Sequence, residues 1–253
     1  MNISENKVVA NQYATSQRLE TRISIHEKYS RNKQPFAAWI LSHYRLQPGE
    51  RVLELGCGTG SMWRGVSLPE GCRVTLTDIS PGMLETGRSN TAHLHADYTV
   101  CDAMDIPFAD SSFDVVIANM MLYHVPDIAK ALGEIRRVLK PDGSFFAATF
   151  GVHGVVEAVL DMLKLPCSVN HRFTLQNGTP MLETFFTHVD LMRREDALDV
   201  TYLPDLIDYL RSLDSMTVLA DLPDNQLMDA FSARMKDGVL SLPKEYGLFI
   251  CSG

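Results

Sequence analysis

Glycine stands at positions 56, 58 and 60, directly after the apolar run Val52-Leu53-Glu54-Leu55. Glycine has no Cβ and adopts positive φ without strain, so a turn built on it lets backbone N–H groups close on a ligand. Set between a strand and a helix, such a turn is a nucleotide-cofactor loop. The spacing narrows the kind. A dinucleotide loop needs G-x-G-x-x-G. Counted from Gly56, the third glycine position is Ser61; counted from Gly58, it is Trp63. The phosphate loop G-x-x-x-x-G-K-[ST] is absent as well. What stands is E-x-G-x-G-x-G, and the Glu54 carboxylate beside the loop suits a cation.

Other residues able to do chemistry follow in order. Asp78 closes the β-branched run Arg73–Asp78 and lies 18 residues beyond Gly60. A βαβ unit sets a carboxylate for ribose hydroxyls at about that place. Ile79 comes next, then Ser80-Pro81-Gly82-Met83, which reads as an N-cap with proline at the first helical position. A third predicted strand starts near His95 and ends in Asp102-Ala103-Met104. A fourth, Ser112 to Met120, ends in Asn119-Met120. His124 lies just beyond it, and as a general base its imidazole could take a proton from a phenol, enol or thiol. A packing role for His124 stands beside that reading and is favoured. His93 and His95 share a face of any strand they form, but no third ligand stands nearby, so no metal is expected.

These segments, in this order over about residues 50–150, resemble the class I S-adenosylmethionine (SAM)-dependent methyltransferases. The likeness is to the small-molecule type that includes ubiquinone/menaquinone-biosynthesis and natural-product enzymes. It implies an α/β fold: a Rossmann-like seven-stranded, mostly parallel sheet in the order 3-2-1-4-5-7-6, with strand 7 antiparallel, helices on both faces and a helical lid. It implies SAM as cofactor, with S-adenosylhomocysteine as product, held by Glu54, Gly56, Cys57, Gly58, Gly60, Asp78, Ile79, Met83, Asp102, Ala103, Met104, Asn119 and Met120. The Asp102-Ala103 pair falls where the family holds adenine, and Asn119-Met120 where the methyl group is transferred. Tyr13 and Tyr29 fall in N-terminal helices similar to those that close over SAM. Relatives that methylate DNA bases or glutamine carry [N/D]-P-P-[Y/F] after the fourth strand. Here the residues are Asn-Met-Met-Leu, which argues against those acceptors. Methyl transfer from a sulfonium needs alignment and desolvation more than a base. Two rival readings stay open: a SAM-binding enzyme with other chemistry, and a non-catalytic SAM-binding module.

The elements that must position these residues are legible in outline. Ser16 to Ser30 and Gln34 to Tyr44 read as helices. Strand and helix then alternate from 51 to 150, with a helix from about Asp127 to Leu139 and a Lys140–Gly143 turn into a strand at Ser144–Phe150. Residues 151–187 are broken by Pro166, Asn177-Gly178 and Pro180. Strands at 188–194 and 246–251 frame helices at 205–213 and 224–236. We expect one domain over 1–253, with 1–50 as lid, 51–150 as cofactor core and 151–253 on the substrate side. The 253 residues are 45% hydrophobic and 21% charged, ordinary for a globular protein. A net charge of −8 argues against a nucleic-acid footprint. Arg136, Arg137 and Lys140 cluster, but at a helix C-terminus, where cations are favoured. The start Met-Asn-Ile-Ser-Glu-Asn-Lys has no signal core, and no apolar run is long enough to span a membrane. Five scattered cysteines without C-x-x-C fit reduced thiols. A cytoplasmic enzyme with a small-molecule acceptor is the expectation.

Overall fold

Val52, Leu53, Leu76, Val116 and Ile117 are fully buried. Their strands read as continuous apolar runs because parallel strands covered on both faces have no wet side. The computed structural model describes residues 16–166 and 170–253; Tyr13 lies outside them. The strands are β1 (Arg51–Glu54), β2 (Arg73–Asp78), β3 (Asp97–Val100), β4 (Phe113–Ile117), β5 (Leu139–Phe150), β6 (His188–Val200) and β7 (Leu240–Ser252). They make one sheet in the order β3-β2-β1-β4-β5-β7-β6, with β7 antiparallel to both neighbours and the other pairings parallel. The expected fold class is the observed one.

Two apolar layers cover the sheet. On one face α2 (Phe36–Tyr44) sets Ile40 and Tyr44 against Val52, Leu76, Ile117 and Phe146. On the other, α4 (Ile128–Val138) buries Ala131, Leu132, Ile135 and Val138 against Leu53, Val116 and Phe145. Its helical spacing of apolar residues makes that stripe, and Asp127 caps it by accepting from Lys130 N at 2.9 Å. Of the basic cluster at its end, Arg137 pairs with Glu134 and Asp110, and Lys140 pairs with Asp114. These ion pairs leave little of a free cationic patch. Helix α3 (Pro81–Asn90) starts at Ser80, as its N-cap and proline predict.

A third apolar cluster lies beyond these two layers. Helices α1 (Ser16–Tyr29), α5 (Val155–Leu163), α7 (Leu203–Ser212) and α8 (Asp224–Ser232) pack with the far ends of β6 and β7. Leu198, Val200, Leu206, Leu210, Leu227, Phe231 and Leu242 in it are fully buried. Both hairpin strands are longer than expected. β6 pairs with β7 through Val200↔Leu240, whereas β5 pairs with β7 only as far as Phe150↔Tyr246. The alternation of Leu198, Val200, Leu240 and Leu242 with polar residues is a half-buried strand pattern. The charged run Arg193-Arg194-Glu195-Asp196 hides it. Strand β5 likewise begins at Leu139, not Ser144, and β3 and β4 are shorter than read.

One expectation is corrected. The glycine turn leads into a single 3₁₀ turn, Ser61–Trp63, not an α-helix. Only residues 61–72 separate the loop from β2, and Gly65, Pro69 and Gly71 among them do not sustain helix. Elsewhere, α6 (Gly178–Leu182) seats Gly178 so close to Phe249 that a Cβ would lie 2.6 Å from its ring. Gly178→Val is therefore expected to destabilise the protein by about 1–3 kcal/mol through overpacking. Denaturant unfolding measures it; an unchanged midpoint would show that the ring can move aside.

Candidate functional site

β1 ends at Glu54, and the chain turns at once. Gly56, Gly58 and Gly60 have φ of 64°, 56° and 63°, a left-handed region costly for any residue with a Cβ. Space adds a second constraint at Gly56, where a Cβ would stand 2.8 Å from Met121 Cβ. The turn is tied down from several sides. Cys57 N donates to Thr77 O at 2.8 Å and Gly60 N to Cys57 O at 2.9 Å. Asn90 Nδ2 of α3 donates to Thr59 O at 2.8 Å. Asp78 supplies the next tie: Oδ2 accepts from Gly58 N at 2.9 Å and Oδ1 from Ser80 N at 2.8 Å. Burial pushes the Asp78 carboxyl above its ordinary value, and those amide bonds act against the rise.

Glu54 lies beneath the loop, 3% exposed. Oε2 accepts from Trp63 Nε1 at 2.6 Å, and Oε1 is 3.5 Å from Asn119 Nδ2. Burial, resisted by these two bonds and reinforced by Asp78, pushes its pKa up to about 7. Asn119 Nδ2 also donates to the Tyr44 hydroxyl at 2.6 Å, while Asn119 Oδ1 is buried without a hydrogen-bond partner among the described residues. The Cys57 thiol is driven upward by burial, then by Glu54 and Asp78, so it is not a nucleophile.

The other sequence-selected residues fall around the same edge. Cys101 N donates to Asp78 O at 3.0 Å, which brings the turn after β3 beside β2. There Asp102 Oδ1 accepts from Met104 N at 2.9 Å; Ala103 is buried and Met104 half-buried. Ile79 follows Asp78 directly. Met83 is 2% exposed, inside the start of α3. Met120 adopts φ of 52° and donates to Ala148 O at 2.8 Å. His124 is half-buried, with its ring 4.4 Å from that of Tyr123, which in turn is 4.6 Å from Phe150. Tyr29 stands apart: its hydroxyl donates to Asp205 Oδ2 at 2.6 Å and its ring belongs to the third apolar cluster. Sequence reasoning passed over Tyr44 and Trp63. Both are aromatic residues at the ends of short helices, and nothing local reveals that they meet Glu54 and Asn119.

This arrangement can be tested for the group it would hold. The cradle is built of backbone amides, a buried carboxylate and an orphaned amide oxygen. Among the described residues no lysine or arginine bonds to residues 54–60. With no long helix after it, the loop offers little to a phosphate. An acceptor-rich pocket with an unsatisfied oxygen suits an ammonium or sulfonium. The residues therefore fit SAM. Among the described residues no cluster could hold a metal ion, and no helix is long and apolar enough to cross a membrane.

The comparisons agree with the geometry. Residues 53–147 match the family described as a methyltransferase domain. Demethylmenaquinone methyltransferase of Staphylococcus epidermidis is 41% identical over 107 residues, covering 41% of this chain and 44% of that protein. Malonyl-[acyl-carrier protein] O-methyltransferase of Halorhodospira halophila is 33% identical over 172 residues, covering 64% of this chain and 56% of that protein. The chain thus spans about half the length of these curated relatives. Phosphoethanolamine N-methyltransferase 2 of Haemonchus contortus, solved with SAM, superposes with a TM-score of 0.61 at 20% identity, over 99% of this chain and 60% of that one. It shares the fold.

Glu54 binds its proton more tightly folded than unfolded. Its contribution to stability is full below the ordinary carboxylate pKa and is lost as pH rises through about 7. The stability of wild type relative to Glu54→Gln is therefore expected to fall between about pH 5 and about pH 8. Denaturant unfolding across that range measures it, and a difference that stays flat would place the titration elsewhere.

Proposed function

We propose that the chain is a class I SAM-dependent methyltransferase that methylates a small organic molecule; its methyltransferase-domain match and its sheet order support this reading. The observation that carries this is the oxygen-rich cradle under the glycine turn, where Asn119 Oδ1 is buried and unpartnered beside Glu54. Such a site lowers its own cost by taking a cation.

Bound there, SAM supplies a methyl group on a positively charged sulfur, a carbon already activated for in-line displacement. The chain's residues do the rest. Glu54 and Asn119 offer oxygens to the ammonium end. The Gly56–Gly60 backbone, with Cys57 in it, lets the cofactor close on β1. Asp78, aligned by the Gly58 and Ser80 amides, takes ribose hydroxyls, with Ile79 and Met83 alongside. Asp102, Ala103 and Met104 line the adenine. Met120, turned out of β4 by its left-handed backbone, fixes where the acceptor arrives. Alignment in a water-poor site carries most of the rate. His124 packs against Tyr123 at the acceptor side. Residues 1–253 act as one methyltransferase unit, with 1–50 and 151–253 enclosing the acceptor.

The deciding assay incubates SAM with phenols, amines and thiols and weighs the acceptors. Gain of one methyl group with matching S-adenosylhomocysteine is the expected outcome. SAM consumed with no methyl group gained by any acceptor, or binding without any turnover, favours the rival readings. In calorimetry SAM and S-adenosylhomocysteine should bind, and NAD and ATP should not; tighter NAD binding would end the assignment.

Asp78→Ala is expected to weaken cofactor binding by about 1–3 kcal/mol, the usual cost of lost charged hydrogen bonds. Gly58→Val should weaken it more, since its φ of 56° strains any side chain there. His124→Ala should lower thermal stability and leave kcat within about tenfold. A loss of about 10²–10⁴ in kcat in a stably folded variant would make His124 a base instead.

A further inference from the structure

Four side chains form cross-strand neighbours on the β6–β7 hairpin. Arg194 stands opposite Tyr246, and Asp196 opposite Lys244. Two-residue periodicity puts all four on one face, the face that meets the end of α1. Asp196 Oδ2 takes Arg194 at 2.7 Å and Lys244 at 2.8 Å, and its Oδ1 takes the Asn32 and Ala197 amides. Lys244 also donates to Ser30 Oγ at 2.6 Å, and Arg194 donates to Gln34 O. The side chains of Arg194, Asp196 and Lys244 are 2%, 0% and 2% exposed. Two buried cations thus share one buried carboxylate.

Hydrogen bonding is unbalanced in the same place. Arg194 Nε and His26 Nδ1 are buried without a partner among the described residues. His26 meets the Tyr246 hydroxyl through Nε2 at 3.4 Å and lies edge-on to Tyr246 and Tyr209. Nδ1 is thus a second orphaned polar atom, and in the tautomer in which the Tyr246 hydroxyl donates to Nε2 it is a donor. Burial, and after it Lys244, holds the imidazole neutral, with its pKa lowered to about 3. Glu157, whose charge also reaches Tyr246, is already engaged by His171 Nε2 at 2.9 Å and Gly154 N. Buried donors without acceptors, next to surplus positive charge, are costly. A ligand carboxylate answers both.

The position fits an acceptor. Tyr246 pairs with Phe150 at the end of β5, and Phe150 touches Tyr123, which touches His124 after β4. Phe36 lies 5.3 Å from Tyr246. From β4 across β5 to β7 is two strand spacings, about 10 Å. We propose that the Arg194–His26 cluster anchors a carboxylate of the methyl acceptor, whose aromatic or conjugated body lies along the Tyr123–Phe150–Tyr246 wall. The inference rests on the methyltransferase reading and adds the substrate class: an extended aromatic monocarboxylate methylated at the end far from its acid.

Calorimetry on the full chain saturated with S-adenosylhomocysteine tests it, using benzoate, 4-hydroxybenzoate and 4-hydroxycinnamate against their amides and methyl esters. At least one acid should bind tenfold or more tighter than its neutral partners. Arg194→Gln and, separately, His26→Phe should each remove that preference and leave S-adenosylhomocysteine affinity unchanged. Should Arg194→Gln fail to fold, His26→Phe alone decides. Acids that bind no tighter than their amides and esters, undetectable binding of all of them included, overturn the anchor. So does a preference that survives His26→Phe. Failure of S-adenosylhomocysteine to bind in the first titration overturns the methyltransferase reading instead, so the two failures are distinct.

Discussion

The buried carboxylate of Glu54 joins parts of the chain that lie far apart in sequence. Trp63 reaches it from the turn after the glycines, Asn119 from the end of β4, and Tyr44 through Asn119 from α2. A carboxyl group so enclosed needs hydrogen-bond partners on its oxygens, whether it carries its proton or not. That requirement fixes the ring of Trp63, which in turn seats the loop. It also turns the Asn119 amide inward and leaves its oxygen over the cradle. The glycine turn and the chain after β4 are thereby held by the same few hydrogen bonds.

A second constraint acts through the backbone. The loop's three left-handed glycines hold a shape that the Asp78–Gly58 and Asn90–Thr59 bonds and the Met121 side chain help to keep in place. Each tie comes from a different strand end or helix. The loop is therefore as rigid as the sheet beneath it, although it contains no regular structure. Rigidity here costs the folded state little, because the strain lies at glycines.

What could be read from the sequence had local causes. Glycine at 56, 58 and 60 declares its φ, Ser80-Pro81 declares a helix start, and apolar runs declare buried parallel strands. The acidic residues after β2 and β3 followed from their register. What escaped depends on contacts distant in sequence. The Asn119–Tyr44 bond spans 75 positions. Arg194 and Asp196 look like solvated residues of an edge strand until α1 docks on them. The missing helix after Gly60 was hidden because the glycine pattern predicts the turn and says nothing of how much chain follows it. Tyr29 has the helical position expected of a cofactor contact, yet Asp205, 176 residues away, claims its hydroxyl.

The outermost strand has one more consequence. β6 runs from His188 to Val200 with no further strand beyond it among the described residues, and a long unpaired edge is a template for other chains. The segment leaving α1 closes its far part: Ser30 bridges Leu198, and the Arg31 and Asn32 amides donate to Ala197 O and Asp196 Oδ1. The open stretch carries His188, Asp190, Arg193 and Glu195, charges and polar groups that discourage edge-to-edge pairing. At the opposite edge β3 is only four residues long. The segment leaving α1 thus shields sheet edge as well as burying its own side chains. Loosening it would bare the far part of β6, so the contacts that dock α1 also hold off edge-to-edge association of these molecules.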